Sequence, residues 1–302
     1  MSPSALTRLS PCVVTPIVDI PTTRWAQLLA KDETKQLSGA FKYRGIRHRM
    51  ASVLPGSSLV TASTGNHGGG LALAARDLGC TLHVFAPSST PMAKQERIGR
   101  HGAQLHLVDG SYDDCAADAM SFGARHGLEY IHSFDDPQII RGHQTLFSEI
   151  DMVMPVPEVV FVPIGGGGLV SAAIAAWGEQ RTRIVGVEHA SAPAMAESLR
   201  AGRPVILPPL SGPAEGLLVR QVGHHPFAAC AAYGLTVETV GDGEIENAIR
   251  LLHRVAGIRA EYAGAAAIAA ALRHVAPEER ALCIVSGGNI DSSRWQRCLE
   301  DP

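Results

Sequence analysis

Val162-Pro163-Ile164-Gly165-Gly166-Gly167-Gly168-Leu169 sets four consecutive glycines between an apolar, β-branched run and an Ala-rich stretch. The local reading is strand, tight turn, helix. Residues without Cβ atoms let the backbone approach an oxyanion closely and aim successive N–H groups at it. The helix that follows adds the partial positive charge of its N-terminus. The loop therefore reads as a phosphate cradle without a cation, against the plainer alternative of a flexible turn. It lacks the lysine of G-x-x-x-x-G-K-[ST] and the spacing of G-x-G-x-x-G. No ribose-binding acidic residue follows at the distance a nicotinamide oxidoreductase needs.

The same strand-to-helix pattern extends in both directions. Candidate strands are Ser58 to Ala62, Thr81 to Ala86, Gln104 to Val108, Val159 to Pro163, Arg183 to Glu188 and Ala281 to Ser286. Candidate helices are Gly68 to Leu78, Pro91 to His101, Tyr112 to His126, Gln138 to Met152, Leu169 to Gly178 and Gly243 to Val255. Alternation of this kind predicts a layered α/β protein, with ligands gathered beyond the carboxyl ends of parallel strands. Strand–helix units opened by Leu54-Pro55-Gly56 predict a small domain over residues 56–133, with residues 1–55 and 134–302 forming a large one. The Pro-, Gly- and Leu-rich segment Ala201 to Pro226 reads as an ordered connector. There is no repeat at a fixed period and no low-complexity tail.

The bulk properties exclude several function classes. The chain has 302 residues, 46% hydrophobic, with a net charge of −3 and both signs interspersed. It has no basic run, RNP-like motif or zinc-knuckle spacing, so no nucleic-acid partner is expected. Cys12, Cys80, Cys115, Cys230, Cys283 and Cys298 stand singly, without a C-x-x-C pair. That argues against a zinc site or a disulfide framework and for a reducing cytoplasm. Met1 to Ala5 shows no basic region leading into an apolar stretch, so no signal peptide is expected. Apolar windows such as Ala263 to Leu272 fall far short of the ~20 residues of a membrane span. A soluble protein acting on small polar molecules is the expectation.

Three further segments carry chemistry. Leu37-Ser38-Gly39-Ala40-Phe41-Lys42-Tyr43-Arg44-Gly45 places a lysine among small and aromatic residues. Screening from water disfavours the ammonium and favours the free amine that attacks aldehydes. Val60-Thr61-Ala62-Ser63-Thr64-Gly65-Asn66-His67-Gly68 follows a strand and opens a helix, a setting suited to a substrate carboxylate. There, His67 reads either as a general base or as a capping or packing residue. Ile284-Val285-Ser286-Gly287-Gly288-Asn289 again follows an apolar strand. A neutral Ser286 hydroxyl facing a pyridine nitrogen leaves that nitrogen unprotonated and weakens the electron sink. Ser286 could otherwise be a helix N-cap.

Taken together and in this order, the four segments resemble the fold-type II pyridoxal phosphate (PLP) enzymes, the tryptophan-synthase β-like group. The nearest branch looks like the serine/threonine dehydratases and serine racemases, over roughly Thr15 to Asp291. Phe134-Asp135-Asp136-Pro137, Val185-Gly186-Val187-Glu188, Ala214-Glu215-Gly216 and Glu261-Tyr262-Ala263-Gly264-Ala265 support the match. The resemblance implies two domains, each an open, mostly parallel sheet flanked by helices: a large PLP-binding domain and a small mobile one. It implies a homodimer and PLP held as a Schiff base by Lys42, with Phe41 packing beside the ring. Gly165, Gly166, Gly167 and Gly168, with Leu169 opening the helix, would bind the phosphate; Ser286 would face the pyridine nitrogen. Ser63, Thr64, Gly65, Asn66 and His67 would bind the substrate carboxylate, with Asn66 also touching the cofactor oxygen.

The departures from the family pattern are specific. Ala40 replaces the usual Ser before the Phe. Thr64 stands where many dehydratases have Ala and serine racemase has the Ser that works on the far face of the substrate. Glu188 and Ala192 match two positions of a racemase-type cation site, but Ala194 replaces the expected carboxylate, so no metal is expected. With so little sequence after Ser286, feedback control through the regulatory domain of biosynthetic threonine dehydratases is not expected. The implied reaction is β-elimination on a small β-hydroxy amino acid such as serine or threonine, giving a 2-oxo acid and ammonia. Lys42 would act as the base at Cα. Racemisation by Lys42 and Thr64, β-replacement, and a non-catalytic PLP- or amino-acid-binding protein are the alternatives.

Overall fold

Apolar β-branched runs too short for helices become strands buried on both faces, and the Ala-rich stretches between them become the helices that cover those faces. The computed structural model describes residues 5–300 apart from residue 181. Residues 1–4, on which the absence of a signal peptide was partly read, lie outside the described residues. In chain order the elements are α1 (Ala5–Arg8), β1 (Ile17–Asp19), β2 (Trp25–Asp32), a 3-10 turn (Glu33–Lys35), α2 (Lys42–Met50), β3 (Ser58–Ala62), α3 (Asn66–Leu78), β4 (Thr81–Pro87), α4 (Met92–Gly99), β5 (Gln104–Val108), α5 (Tyr112–His126) and β6 (Glu129–Tyr130). They continue with α6 (Pro137–Asp151), β7 (Val159–Pro163), α7 (Gly168–Trp177), β8 (Arg183–His189), α8 (Ala194–Ala201), α9 (His224–Tyr233), β9 (Thr236–Val240), α10 (Asp242–Ala256), α11 (Tyr262–Ala271), β10 (Ala276–Val285) and α12 (Ser292–Glu300).

Two sheets result, with strand orders β1-β2-β10-β7-β8-β9 and β5-β4-β3-β6. Apart from the antiparallel β1–β2 pair, neighbouring strands run parallel. The expected open, mostly parallel, helix-flanked sheets are what is observed. Parallel strands end on the same side, so the order β2-β10-β7 decides what meets there. The lysine segment follows β2, the Ser286 turn follows β10, and the glycine loop follows β7. The Ser63 to His67 loop follows β3 of the smaller sheet.

The wholly buried helix α11 shows how the larger sheet is covered. Its alanines let it lie close against a core that includes Phe161, Val185 and Cys283. On the smaller sheet, Leu71, Ala72 and Leu78 of α3 share a core with Leu59, Leu82 and Ile98. Tyr43, Ile46 and Met50 of α2 join that second core. The helix that begins at Lys42 is therefore packed by the smaller sheet while its preceding loop is fixed by the larger one.

Beneath that helix lies a buried ionic cluster. Arg44 Nε and Nη2 donate to Glu33 at 2.7 and 2.8 Å, and Nη1 and Nη2 donate to Glu149 at 2.6 and 2.8 Å. Lys31 Nζ donates to Glu149 Oε2 at 2.9 Å and to the Thr15 carbonyl at 2.6 Å. Two cations and two carboxylates thus tie together β2, the turn after it, α2, α6 and the N-terminal segment. Burial alone would raise the Glu149 carboxyl, but the Arg44 and Lys31 hydrogen bonds hold it below its ordinary value.

Removing one partner of such a buried set leaves uncompensated charge and typically costs about 3–5 kcal/mol. Arg44→Met, which strands both Glu33 and Glu149, is expected to lose stability on that scale in urea unfolding. An unchanged midpoint and slope would refute the structural role given to the cluster.

Candidate active site

The lysine loop and the Ser286 turn are bound to each other through their backbones. The Phe41 N–H donates to the Ser286 carbonyl and the Gly288 N–H to the Gly39 carbonyl, both at 2.9 Å. Lys42, the first residue of α2, is thereby aimed at the segment after β6. Its Nζ donates to the Ser133 carbonyl at 2.8 Å and lies 5.2 Å from the centre of the Phe41 ring. On its other side Phe41 packs against His143, with ring centres 4.7 Å apart. Burial lowers the Lys42 amine to about 8. The sign is that of desolvation: the neutral amine is favoured, as imine formation requires.

The glycine loop presses against the residue after Ser133. A Cβ at Gly166 would come 2.2 Å from the Phe134 ring, and one at Gly167 would come 2.6 Å from Pro226. Gly167 also has φ +93°, a left-handed conformation that only glycine adopts without strain. Only glycine lets the loop pack this closely at these positions, and the loop leads directly into the N-terminus of α7. That arrangement fits the phosphate of PLP, and Lys42 fits its aldehyde.

Ser63 is buried, and its Oγ accepts from the Gly65 and Gly68 N–H groups at 3.2 and 2.8 Å, closing the turn into α3. Thr64 is half-buried, and its hydroxyl makes no hydrogen bond among the described residues. Asn66 opens α3; its Nδ2 donates to Glu261 Oε1 at 2.6 Å and its Oδ1 accepts from Asn289 Nδ2 at 2.7 Å. His67 is buried, and neither ring nitrogen makes a hydrogen bond. Burial, then the Lys42 and His132 charges, push it down to about 3 against the opposing Ile131 carbonyl. Such an imidazole is a weak base at neutral pH, which weighs for the packing reading of His67.

Ser286 is buried and its Oγ donates to the Ala263 carbonyl at 3.3 Å. The next helix begins only at Ser292, so Ser286 is not a helix cap. Glu188 accepts from the Met195 and Ala196 N–H groups at 2.7 and 3.0 Å, which commits its carboxylate to the start of α8. Burial raises this carboxyl to about 7. Ala192 and Ala194 are buried beside it. The structure thus gathers Phe41, Lys42, the glycine loop, Asn66 and Ser286 at one end of the two sheets.

Sequence reasoning gave no role to Ser133, which holds the Lys42 amine through its backbone, nor to His143. Glu261 and Asn289 lay inside quoted motifs, but nothing local in their types signalled that both would grip Asn66.

The chain's likeness to known proteins agrees with this geometry. The family described as "Pyridoxal-phosphate dependent enzyme" matches residues 10–287. The "L-threonine dehydratase biosynthetic IlvA" of Mycobacterium bovis is 35% identical, over 98% of this chain and 73% of that protein. The solved structure of the processed form of threonine deaminase isoform 2 from Solanum lycopersicum superposes with a TM-score of 0.89 at 29% identity. That match covers 98% of this chain and 85% of that one. The structure of maize serine racemase superposes with a TM-score of 0.86 at 28% identity, covering 97% and 94%.

A desolvated Lys42 makes a pH-dependent prediction. The rate at which the cofactor-free protein captures an aldehyde should rise with pH and level off above about 8. A rise continuing toward the ordinary lysine value of ~10.4 would show that the amine is not screened. Between those values the unfolded lysine keeps its proton while the folded one has lost it. This group's contribution to stability therefore increases with pH across that window.

Proposed function

The chain belongs to the family of pyridoxal-phosphate-dependent enzymes, and from that premise we propose that it eliminates water from a small β-hydroxy amino acid, serine or threonine, releasing a 2-oxo acid and ammonia. What most supports this reading is Lys42: an amine lowered to about 8 and held at a carbonyl beside a cation-free glycine cradle. The names of the threonine dehydratase and deaminase relatives point to the same reaction class. When bound, pyridoxal phosphate supplies an electron sink that makes the Cα–H bond of an attached amino acid acidic.

The chain's own residues do the rest. Lys42 would hold the cofactor, and Gly165 to Gly168 with Leu169 would seat its phosphate on backbone N–H groups at the start of α7. Phe41 would pack beside the ring, and Ser286 would face the ring nitrogen as a neutral hydroxyl. The Ser63 to His67 loop would take the substrate carboxylate on the N-terminus of α3. Once displaced by the substrate's amino group, the Lys42 amine would take the proton from Cα. Its lowered basicity places it near the pH at which a general base works best.

The reading extends to organisation. Residues 56–133 would form a small domain that moves against a large one made of residues 1–55 and 134–302. A cytoplasmic setting is supported by the six free cysteines, and a homodimer by family resemblance. Racemisation is the second reading, favoured by the Thr64 hydroxyl that makes no hydrogen bond and by the likeness to maize serine racemase.

Keto-acid release measured across serine, threonine, a hydroxyaspartate and an aryl-serine tests the reaction. One or more should be turned over, and Lys42→Ala should lower that rate by roughly 10³-fold or more. Release of no keto acid from any of them would refute elimination. Chiral analysis of L-serine incubations separates the second reading. Thr64→Ala should abolish D-serine formation if Thr64 is the far-face base, and D-serine persisting in that variant would remove it from the role.

A further inference from the structure

The amide of Asn66 is gripped from both sides by residues that belong to the larger sheet's half of the fold. Asn66 itself sits at the first position of α3, on the smaller sheet. Its Nδ2 donates to Glu261 at 2.6 Å, and its Oδ1 accepts from Asn289 Nδ2 at 2.7 Å. Asn289 Nδ2 also donates to the Ser38 carbonyl at 2.8 Å, which anchors that side chain to the lysine loop. Glu261 is anchored in turn, its N–H donating to the Gly287 carbonyl at 3.0 Å. Gly287 keeps the carboxylate's place open, because a Cβ there would come 2.5 Å from Glu261 Oε1.

An asparagine amide has two N–H donors and one oxygen, and it can rotate by half a turn with little change of shape. Here rotation is blocked by charge. The flipped amide would face its oxygen to the Glu261 carboxylate and its nitrogen to the Asn289 nitrogen. One N–H and the oxygen are therefore committed, and the second N–H is left with a fixed direction. We propose that Glu261 is the positioning residue that orients the Asn66 amide toward the cofactor, with Asn289 as its counter-clamp. This rests on the proposed reading, in which Asn66 donates to the cofactor's ring oxygen. Without Glu261, the amide is free to present its oxygen instead, and two oxygens would face each other.

Burial pushes the Glu261 carboxyl up, while the Asn66 hydrogen bond and the Lys94 and Arg97 charges oppose that shift. Both cations come from α4, on the smaller sheet. Lys94 also pairs with Glu215, in the segment between α8 and α9. Glu261 thus sits at a junction of the two halves, where charge from one side and backbone from the other fix it. A carboxylate in that position can orient Asn66 without touching cofactor or substrate.

The test is a double-substitution cycle read by the dissociation constant of pyridoxal phosphate and by the absorption maximum of the bound cofactor. Loss of an outer partner of this kind costs on the order of 10-fold in affinity. Glu261→Ala should weaken cofactor binding by about that factor and displace the maximum; Glu261→Gln, which keeps an acceptor, should do less of both. Because Glu261 acts through Asn66, Glu261→Ala should add nothing in an Asn66→Ala background. Asn289→Ala should obey the same cycle, and it decides the matter if Glu261→Ala does not fold. Multiplying effects, or native affinity and an unmoved maximum in the single variants, would overturn the proposal. Those results would leave elimination standing, since that reading fails only if the unaltered chain releases no keto acid.

Discussion

The position of the Lys42 amine depends on the buried contact between Arg44 and two carboxylates. Arg44 lies two residues after Lys42, and at 3.6 residues per turn two steps rotate a side chain by about 200°. The helix that begins at Lys42 therefore carries a paired guanidinium on one face and the amine on nearly the opposite face. Glu33 and Glu149 occupy the guanidinium's side with short, well-directed hydrogen bonds. Lys31 supplies the second positive charge, so the cluster is balanced. Burying four charges is unfavourable unless each is met, and here each is met by a residue from a different part of the chain. The arrangement gains register: α2 has one rotational setting in which the cluster is satisfied, and in that setting Lys42 reaches the Ser133 carbonyl.

On the amine's side of the helix the surroundings are the reverse. The neighbours are a carbonyl, an aromatic ring and imidazoles driven neutral by burial. His67 is pushed down to about 3, and His143 is pushed well below its ordinary value by burial, with the Lys42 charge adding to the shift. Among the described residues, no carboxylate pairs with Lys42 to hold its proton. Lowered basicity thus follows from burial, with no ion pair to oppose it. Gly45 completes the fit, since a Cβ there would come 2.5 Å from the His143 ring. The imidazole that backs Phe41 can be there only because α2 is bare at that position.

Strand-to-helix turns were readable because their signals are local. Four glycines between Pro163 and Leu169 mark a turn between strand and helix, and β3, β5 and β7 fall on the residues their apolar runs mark. The strand β2 escaped for the opposite reason. Its end, Lys31 and Asp32, looks solvent-exposed in sequence, and the distant Glu149 with the Thr15 carbonyl makes a buried lysine tolerable there. The strand β10 begins earlier than its apolar core, because Ala276 pairs with Trp25 ahead of a shift in register. The helix α11 was visible only as a long apolar window, since an all-round alanine stretch has no face to betray it. Within the site, the residue types that do chemistry were legible, while the partners that aim them were not. Ser133 acts through its carbonyl, which every residue possesses, and Glu261 is separated from Asn66 by most of the chain.

That division between chemical groups and their supports bears on how one site can favour one reaction. Lys42 and Ser286 follow neighbouring strands of the larger sheet, so their relation is set by the β2–β10 register and by the backbone bonds between Phe41, Ser286, Gly39 and Gly288. Thr64 and Asn66 come from the smaller sheet. Asn66 is tied to the larger sheet's residues by two hydrogen bonds, whereas the Thr64 hydroxyl has none. On the proposed reading, the groups nearest the cofactor ring would come from the larger sheet and the group on the substrate's far face from the smaller one. If Ser286 faces the ring nitrogen as proposed, its neutral hydroxyl would make a weak electron sink, which favours prompt loss of a β-substituent over a long-lived carbanion. Return of a proton on the opposite face has to compete with that loss, and it needs a donor held still at the right moment. On the proposed reading, the weak sink would favour elimination as the principal outcome and racemisation as the lesser one.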